Sequence, residues 1–428
     1  MKPQILDIGK ASKLFCVQTD RFKSELLSMQ FFRPILAETV QLNAMLPAVL
    51  RRGTTRHPSK QALSRHLDDL YSTLISMHNR RLGDLQNIRF TADFLGAHYL
   101  GGKSLLGEVT AALGEILFTP LLENGRLSAA FVDSEREHLR DAIRATINNP
   151  SAFAAAECRK LLCAGEPYAL SLRGEEETLD AMTPEALTAH HRAFLGQSAP
   201  YFYYVGAEDP QTVARHLEGL VSGLSDIAPT YQSKITPQTG REKRAEREMP
   251  LCQGKLALGF RTEVSVGHEL APALMLFNEI FGGSPASKLF LNVREKRGLC
   301  YHCSASLDLY KGVILANAGM TPENRQITEQ AMLDEFAAMQ QGDITLQELD
   351  AARSSLDHAY RQLFDAPSAL CNFYAGRLIS GNNVDIDEWR ERMMSVTRDD
   401  VVAVAQRVAL GAVFFLNGTL AEEVDEND

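Results

Sequence analysis

The chain has 428 residues, which is too long for one compact core and suits two domains of about 200 residues each. A hydrophobic share of 45% and a charged share of 23% are typical of globular proteins and exclude disorder as the dominant state. The formal net charge of −10 repels phosphate backbones, which excludes nucleic acid as the default partner.

The sequence also carries signals about cellular location. No apolar run approaches the roughly 20 residues that span a bilayer, and the first residues lack the apolar stretch of a signal peptide. The seven cysteines are an odd number and lack the spacing of a disulfide scaffold, which favours a reducing compartment. We therefore expect a cytoplasmic protein without a membrane partner.

A basic cluster follows the first apolar segment and contains Arg51, Arg52, Arg56, His57 and Lys60. The solvated entrance to a helix explains this cluster as well as a binding patch does. We adopt the helix entrance as the interpretation at this point.

An internal repeat is the most informative feature of the chain. The segment at 134–165 recurs at 351–381, and the Pro-Ser-Ala at Pro150 matches the Pro-Ser-Ala at Pro367. Apolar residues before each proline recur at intervals of four, which places them on one face of a helix. Each copy therefore predicts a helix, a proline-marked break and a second helix.

The repeat extends over both halves of the chain. An apolar strand predicted at 201–206 has its counterpart at 413–418. The stretch 226–248 is polar, contains glycine, proline and a charged run, and is predicted to be a linker. We predict two tandem homologous domains, at 1–225 and 249–428. Strands mixed with paired helices indicate an α+β fold rather than a parallel alternation of strands and helices.

Common catalytic motifs are missing from the sequence. It contains no Gly-x-Ser-x-Gly elbow and no phosphate-binding loop of the Gly-x-x-x-x-Gly-Lys type. The nearest metal-like cluster runs from Cys300 through His302 to Cys303. On a strand Cys300 and His302 would share one face and Cys303 would point to the other, so we do not expect a metal site there.

A longer motif lies in the second half, where residues 281–301 read FGGSPASKLFLNVREKRGLCY. This stretch resembles the pitrilysin family of inverted zincins, which includes insulysin and the mitochondrial processing peptidases. The shared pattern is a glycine turn, then Ser/Lys-Leu-Phe, then Arg-Glu-x-x-Gly-Leu-x-Tyr. The resemblance covers essentially the whole chain. It implies duplicated domains, each with a mostly antiparallel sheet packed with helices.

The resemblance also implies where a zinc site would lie, at His-x-x-Glu-His shortly before a Gly-Thr pair. Counted back from the Gly-Thr at 53–54, the matching residues are Ala44, Pro47 and Ala48, and the third ligand position matches Ala142. Alanine has no lone pair for zinc, and proline cannot act as a general base. We expect this segment to be a helix despite Pro47, with no metal and no cofactor.

Two further residues keep a role that the resemblance implies. Arg294 and Tyr301 match family residues that reach the substrate backbone beside the zinc of the facing half. Such donors can stabilise the oxyanion that forms on an attacked peptide carbonyl. The structural alternative is that Arg294 pairs with Glu295 or Asp308 at a helix end, while Tyr301 packs within a strand.

Three functions remain open on the sequence alone. The chain resembles the non-catalytic, YmfF-type subunits of bacterial heterodimeric peptidases. That resemblance implies a homologous partner subunit that carries the zinc, and a peptide substrate. The alternatives are a structural scaffold of the same fold and a peptide-binding chamber without a role in proteolysis. The retained Arg294 and Tyr301 favour the first function, since a scaffold does not need them.

Overall fold

The structure, a computed structural model, describes residues 3–231 and 233–420. Within these residues the chain forms strands and α-helices that we number in chain order. The strands are β1 (Gln4–Ile8), β2 (Ser12–Gln18), β3 (Ser24–Pro34), β4 (Leu74–Leu82), β5 (Leu85–Leu95), β6 (Leu122–Glu123), β7 (Arg126–Leu127), β8 (Tyr201–Gly206), β9 (Lys243–Met249), β10 (Gly254–Thr262), β11 (His302–Asp308), β12 (Val313–Met320) and β13 (Val408–Gly418).

The α-helices lie between these strands, in several places two or more in succession, and short 3₁₀ turns join some of them. They are α1 (Val40–Leu50), α2 (Lys60–Asp69), α3 (Leu106–Phe118), α4 (Ala129–Arg144), α5 (Pro150–Leu162), α6 (Pro184–Gln197), α7 (Pro210–Val221), α8 (Ala271–Asn278), α9 (Arg325–Gln340), α10 (Leu346–Gln362), α11 (Pro367–Ile379), α12 (Ile386–Ser395) and α13 (Arg398–Ala405). Two π-helical segments, Glu279–Gly283 and Leu289–Lys296, follow α8.

Two open sheets share one strand order. The first sheet runs β1-β2-β8-β3-β5-β4 and the second runs β9-β13-β10-β12-β11. In each sheet a single pair is parallel, β2 with β8 and β9 with β13, and the other pairs are antiparallel. The two orders match strand for strand once the extra edge strand β1 is set aside. The predicted duplication and the predicted α+β fold with mostly antiparallel sheets are therefore confirmed.

The chain divides into two compact units. Each unit contains segments from both sides of the predicted linker. The described residues of Met1–Arg144, Leu170–Gln232 and Gln362–Asp385 form the first unit. Those of Ala145–Ala169, Ser233–Arg361 and Ile386–Asp428 form the second. Each half of the sequence therefore contributes a helix to the unit built mainly from the other half, α5 to the second unit and α11 to the first.

In the first unit the sheet is buried on both faces. Alternate strand residues point to opposite faces, so neighbours in one strand meet different helices. One face packs in a core with residues of α1, α3 and α7. The opposite face meets α11, where the Phe15 ring stacks on Tyr374 with centroids 4.3 Å apart. The Tyr203 hydroxyl donates to the carbonyl oxygen of Ala375 at 3.4 Å.

In the second unit α5 covers the equivalent face of the second sheet, against β10 and β13. The approach is close at two glycines of the strands. A Cβ atom at Gly259 would lie 3.1 Å from the Cys158 sulfur, and one at Gly411 would lie 2.5 Å from a methyl carbon of Leu162. The opposite face packs against helical residues through Phe260, whose ring contacts Phe281 and Phe336.

Part of the predicted linker is a strand. The charged residues Lys243–Glu248 belong to β9, which pairs in parallel with β13 at the edge of the second sheet. Most of their side chains are exposed, so the strand shows no apolar alternation that a sequence pattern could reveal. Charged residues are common on edge strands because they discourage pairing with another chain.

The exchange of α5 makes a prediction about stability. Leu162, 2% exposed, fills the space that Gly259 and Gly411 leave open. We expect Leu162→Ala to lower the free energy of unfolding by about 2–5 kcal/mol, because it leaves a cavity under the helix. Trp389 is the single tryptophan of the chain and is buried in the second unit, so its fluorescence during urea unfolding reports on this unit.

The matched control is Leu346→Ala, since Leu346 is 73% exposed and should change stability by less than about 0.5 kcal/mol. Equal unfolding midpoints for the two variants would show that α5 does not stabilise the second sheet.

Candidate functional site

Three of the residues that replace the zinc motif of the family lie together on α1. Ala44, Pro47 and Ala48 are part of this helix, as predicted, with Pro47 in its interior. Ala44 and Ala48 are one turn apart on the same face, and all three residues line one pocket. Proline in a helix interior removes one backbone hydrogen bond and costs about 3 kcal/mol. Other contacts must therefore hold α1 in place.

A buried chain of polar side chains provides those contacts. His190 Nε2 donates to Asn43 Oδ1 at 2.9 Å, and Asn43 Nδ2 donates to Gln86 Oε1 at 2.9 Å. Gln86 Nε2 then donates to the carbonyl oxygen of Val40 at 3.0 Å, in the first turn of α1. Burial, with the nearby charge of Arg33 and then of His191, lowers the pKa of His190 to about 4, so this imidazole is neutral at neutral pH.

The carboxylate beside this pocket is Glu135, and Ala142 is not among the residues that line it. Both residues lie on α4, which packs against α1. They are seven residues apart, which is about two helical turns, so they share a face but sit roughly 10 Å apart along the axis. The structure thus brings together three of the four predicted positions and adds Glu135, which the sequence analysis missed.

Arg52 binds Glu135 in this pocket. Its Nε donates to a Glu135 carboxylate oxygen, and one of its terminal nitrogens donates to the Ser134 hydroxyl at 2.9 Å. The same nitrogen lies 3.2 Å from His138 Nδ1. A guanidinium therefore already neutralises the one carboxylate at the site.

The residues at this site do not fit a catalytic zinc ion. Such an ion needs three protein donors, and here all three implied ligand positions are alanine, while the nearby carboxylate of Glu135 pairs with Arg52. In residues 3–231 and 233–420 no group of three or more His, Cys, Asp or Glu side chains could hold a metal ion. The position of the general base is Pro47, which cannot accept a proton.

Arg294 is the first of the two predicted substrate-binding residues, and it lies in the π-helical segment Leu289–Lys296. Its guanidinium stacks 4.6 Å from the centre of the Phe290 ring and lies 3.4 Å from a Glu295 carboxylate oxygen. The side chain is 37% exposed, so part of it remains accessible to solvent despite these contacts. Asp308, the other partner considered for Arg294, instead accepts a hydrogen bond from the Tyr168 hydroxyl at 2.8 Å.

Tyr301 follows the turn that ends this helix. Gly298 adopts a left-handed conformation with φ of 62°, and the Leu299 amide donates back to the Val293 carbonyl at 3.2 Å. The Gly298 amide also donates to the Arg294 carbonyl at 3.1 Å. A left-handed glycine with this bond is a common helix end, and it directs the chain into β11. The Tyr301 amide donates to the Gly319 carbonyl at 2.8 Å, while the residue is 51% exposed. Tyr301 is therefore not a buried packing residue of a strand.

The glycine turn of the motif has a packing role. A Cβ atom at Gly282 would lie 2.6 Å from the backbone nitrogen of Ala305 in β11, a distance that no side chain tolerates. The π-helical segment at Glu279–Gly283 therefore lies directly against the strand that follows Tyr301. Glycine here fixes the position of β11 relative to the preceding helices.

Comparisons with known proteins agree with this architecture. Residues 181–356 match the family model described as "Peptidase M16 inactive domain". The chain is 27% identical over 404 residues to the "Probable inactive metalloprotease YmfF" of Bacillus subtilis, which covers 94% of this chain and 95% of that protein. A crystal structure of a conserved protein from Enterococcus faecalis superposes with a TM-score of 0.91 at 24% identity and covers both chains fully.

A second solved structure extends the likeness. The M16 inactive domain from Pseudomonas fluorescens has a TM-score of 0.81 at 16% identity and covers 99% of this chain and 100% of that one. The predicted resemblance to the M16, or pitrilysin, family is confirmed. Among the residues that the structure describes, no helix has both the length and the hydropathy to cross a bilayer.

The lack of zinc ligands leads to a prediction about metal binding. The purified chain should hold no stoichiometric zinc and cleave no peptide. We expect Ala44→His/Ala48→His to bind zinc weakly, because Arg52 still occupies Glu135. Adding Arg52→Ala should release the carboxylate and tighten zinc binding roughly 10–100-fold, the usual effect of residues that support metal ligands. Equilibrium dialysis with metal analysis measures both values.

The unmodified chain is the control for the histidine variants. One tightly held zinc ion in that chain would contradict the prediction. Equal zinc affinity with and without Arg52 would show that Glu135 is not held by the guanidinium.

The buried His190 makes a prediction about pH. An unfolded histidine takes up a proton near pH 6.5, whereas folded His190 stays neutral down to about pH 4. The unfolded state therefore binds more protons between these values, and stability falls as the pH drops from about 6.5 to 4, by at most about 1.4 kcal/mol per pH unit. His190→Gln should make urea-unfolding stability less dependent on pH in this range.

The matched control is His98→Gln, because His98 is exposed and should leave the pH profile unchanged. Parallel stability profiles for wild type and His190→Gln would contradict the neutral, buried state of His190.

Proposed function

Because the chain resembles the M16 peptidases over its length and lacks a zinc site that fits, we propose that it is the non-catalytic subunit of a two-subunit zinc peptidase. In this proposal a homologous partner carries the zinc and cleaves peptides. The observation that carries the proposal is the pairing of a lost metal site with a retained and partly exposed Arg294 and Tyr301.

The placement of Arg294 and Tyr301 supports a role toward substrate. One lies near the end of a helix and the other just beyond a glycine turn, so two separate elements present hydrogen-bond donors. Burial, followed by the charges of Lys255 and Arg294, lowers the pKa of the neighbouring His302, which indicates a positive potential on this surface. Such a potential suits a peptide oxygen that gains negative charge in the transition state.

The zinc of the partner would supply the activated water, and this chain would supply only the donors. The Tyr301 hydroxyl and the Arg294 guanidinium would each donate a hydrogen bond to a backbone oxygen of the bound peptide. Donors that are fixed before the reaction contribute more than mobile ones, because they need no reorganisation. The left-handed turn at Gly298 and the close approach at Gly282 hold the backbone that carries both donors.

A structural scaffold of the same fold is the second candidate, and one observation favours it. Arg294 already contacts Phe290 and Glu295 of its own helix, as expected of a residue that only stabilises a helix end. Such an exposed ion pair contributes little to stability, and the two functions differ in what they predict for mutants.

Reconstitution with a zinc-bearing partner distinguishes the two functions. We expect Arg294→Ala and Tyr301→Phe to leave assembly intact and to slow cleavage of a model peptide, because each removes a donor to the oxyanion. The expected loss is roughly 10²–10³ in kcat for each donor. Size-exclusion chromatography checks assembly, and steady-state kinetics measure turnover.

Arg297→Ala is the control, since Arg297 is an equally exposed arginine directly after the same helical segment. It should leave turnover unchanged. Full activity of an Arg294→Ala/Tyr301→Phe double variant would contradict the substrate-binding role and favour a structural scaffold.

A further inference from the structure

The pocket at the degenerate zinc site has a chemistry of its own. It measures about 170 Å³ and has one apolar wall, formed by Ala44, Pro47, Ala48 and Met77. The remaining lining is polar and largely basic. It consists of Arg51, Arg52, Lys60, His78, Asn79 and Glu135.

The fixed charges in this pocket do not balance. Arg51, Arg52 and Lys60 are cationic, and Glu135 is the single acidic residue in the lining. Glu135 already pairs with Arg52. Burial, and then the positive charges of Arg89, Arg80 and Arg51, lower the pKa of His78, so that imidazole is neutral at neutral pH and adds no charge. The lining therefore carries two positive charges without a matching anion.

The two unmatched cations are Arg51 and Lys60. Within the described residues neither side chain forms an ion pair or a hydrogen bond. Lys60 is the first residue of α2, so the positive end of that helix dipole adds to the local potential. Both side chains also line a neighbouring cavity of about 240 Å³, where Asp68 pairs with neither of them. The two cavities thus share Arg51 and Lys60 as a common wall.

We propose that this pocket binds the carboxylate group of a peptide, held between Arg51 and Lys60. A guanidinium and a carboxylate can form two parallel hydrogen bonds, which favours this pairing over a simple charge contact. The apolar wall suits a carboxylate that is attached to carbon. The neighbouring cavity gives room to the rest of the ligand. That the carrier is a peptide rests on the proposed function.

Size and charge argue against larger or more highly charged ligands. Pockets for drug-sized molecules measure roughly 300–1,000 Å³, so a cavity of about 170 Å³ suits a smaller group. The net charge of −10 on the chain also disfavours phosphate-rich ligands.

A direct binding experiment on the full chain without its partner tests the proposal. The probes are three fluorescent peptides of the same core sequence. The first has a free C-terminal carboxylate and the second has a C-terminal amide. The third also has a C-terminal amide but contains a glutamate, whose side chain supplies the carboxylate. Anisotropy titrations give the Kd of each. We expect at least one of the two carboxylate peptides to bind at least 10-fold more tightly than the plain amide. The two carboxylate probes show whether the group comes from the chain end or from a side chain.

Variants locate the site. Arg51→Ala and Lys60→Ala should each weaken binding of the preferred carboxylate peptide roughly 10-fold, the expected loss of a hydrogen bond to a charged group. The control is Arg56→Ala, an exposed arginine of the same basic cluster that does not line the pocket, and it should leave Kd unchanged. Circular dichroism confirms that the variants fold.

Three outcomes would overturn the proposal: equal affinity for the carboxylate and amide peptides, equal losses for Arg51→Ala and Arg56→Ala, or displacement of the peptide by inorganic phosphate at concentrations below the peptide Kd. Because no cleavage is measured, failure here is distinguishable from failure of the proposed function. That function depends on Arg294 and Tyr301 and is tested with the partner present.

Discussion

Coverage of each sheet by a helix from the other half of the sequence is the constraint on which the structure depends. Both central sheets are apolar on two faces, and the helices of the same half cover only one of them. In the second unit α5 packs closely on Gly259 and Gly411, where an added Cβ atom would lie 3.1 Å from the Cys158 sulfur and 2.5 Å from a methyl carbon of Leu162. Each sheet therefore needs a helix from the other half of the sequence to bury its second face.

The sequence predicted much of this architecture, because the duplication repeats both the helix pairs and the strand that follows them. It could not predict the exchange of α5 and α11, since two copies of one repeat offer each helix two similar sheets and the local pattern is the same for both. β9 was missed for a different reason: an exposed edge strand needs no apolar alternation. The segments that make up each compact unit could therefore be identified only from the structure.

The candidate site, like the fold, could be predicted only in part from the sequence. The resemblance to the pitrilysin family implied Ala44, Pro47 and Ala48 together, because the zinc motif of that family has a fixed spacing before a Gly-Thr pair. Ala142 and Glu135 differ by seven residues, and a helix returns to nearly the same face after two turns, so a sequence pattern cannot decide between them. In the structure Glu135 lines the pocket beside α1, and Ala142 does not. Arg52, which neutralises that carboxylate, gave no signal beyond membership of a basic cluster.

The exchanged helices also bear on how the chain is made. A ribosome releases the strands of the first sheet early, yet α11, which covers one face of that sheet, ends only at Ile379. Until then the nascent chain presents an apolar sheet face that includes Phe15 and Tyr203, and such surfaces promote aggregation. The first unit therefore cannot mature before most of the second has been synthesised. Truncated products that end within the second half would be natural clients of chaperones and proteases.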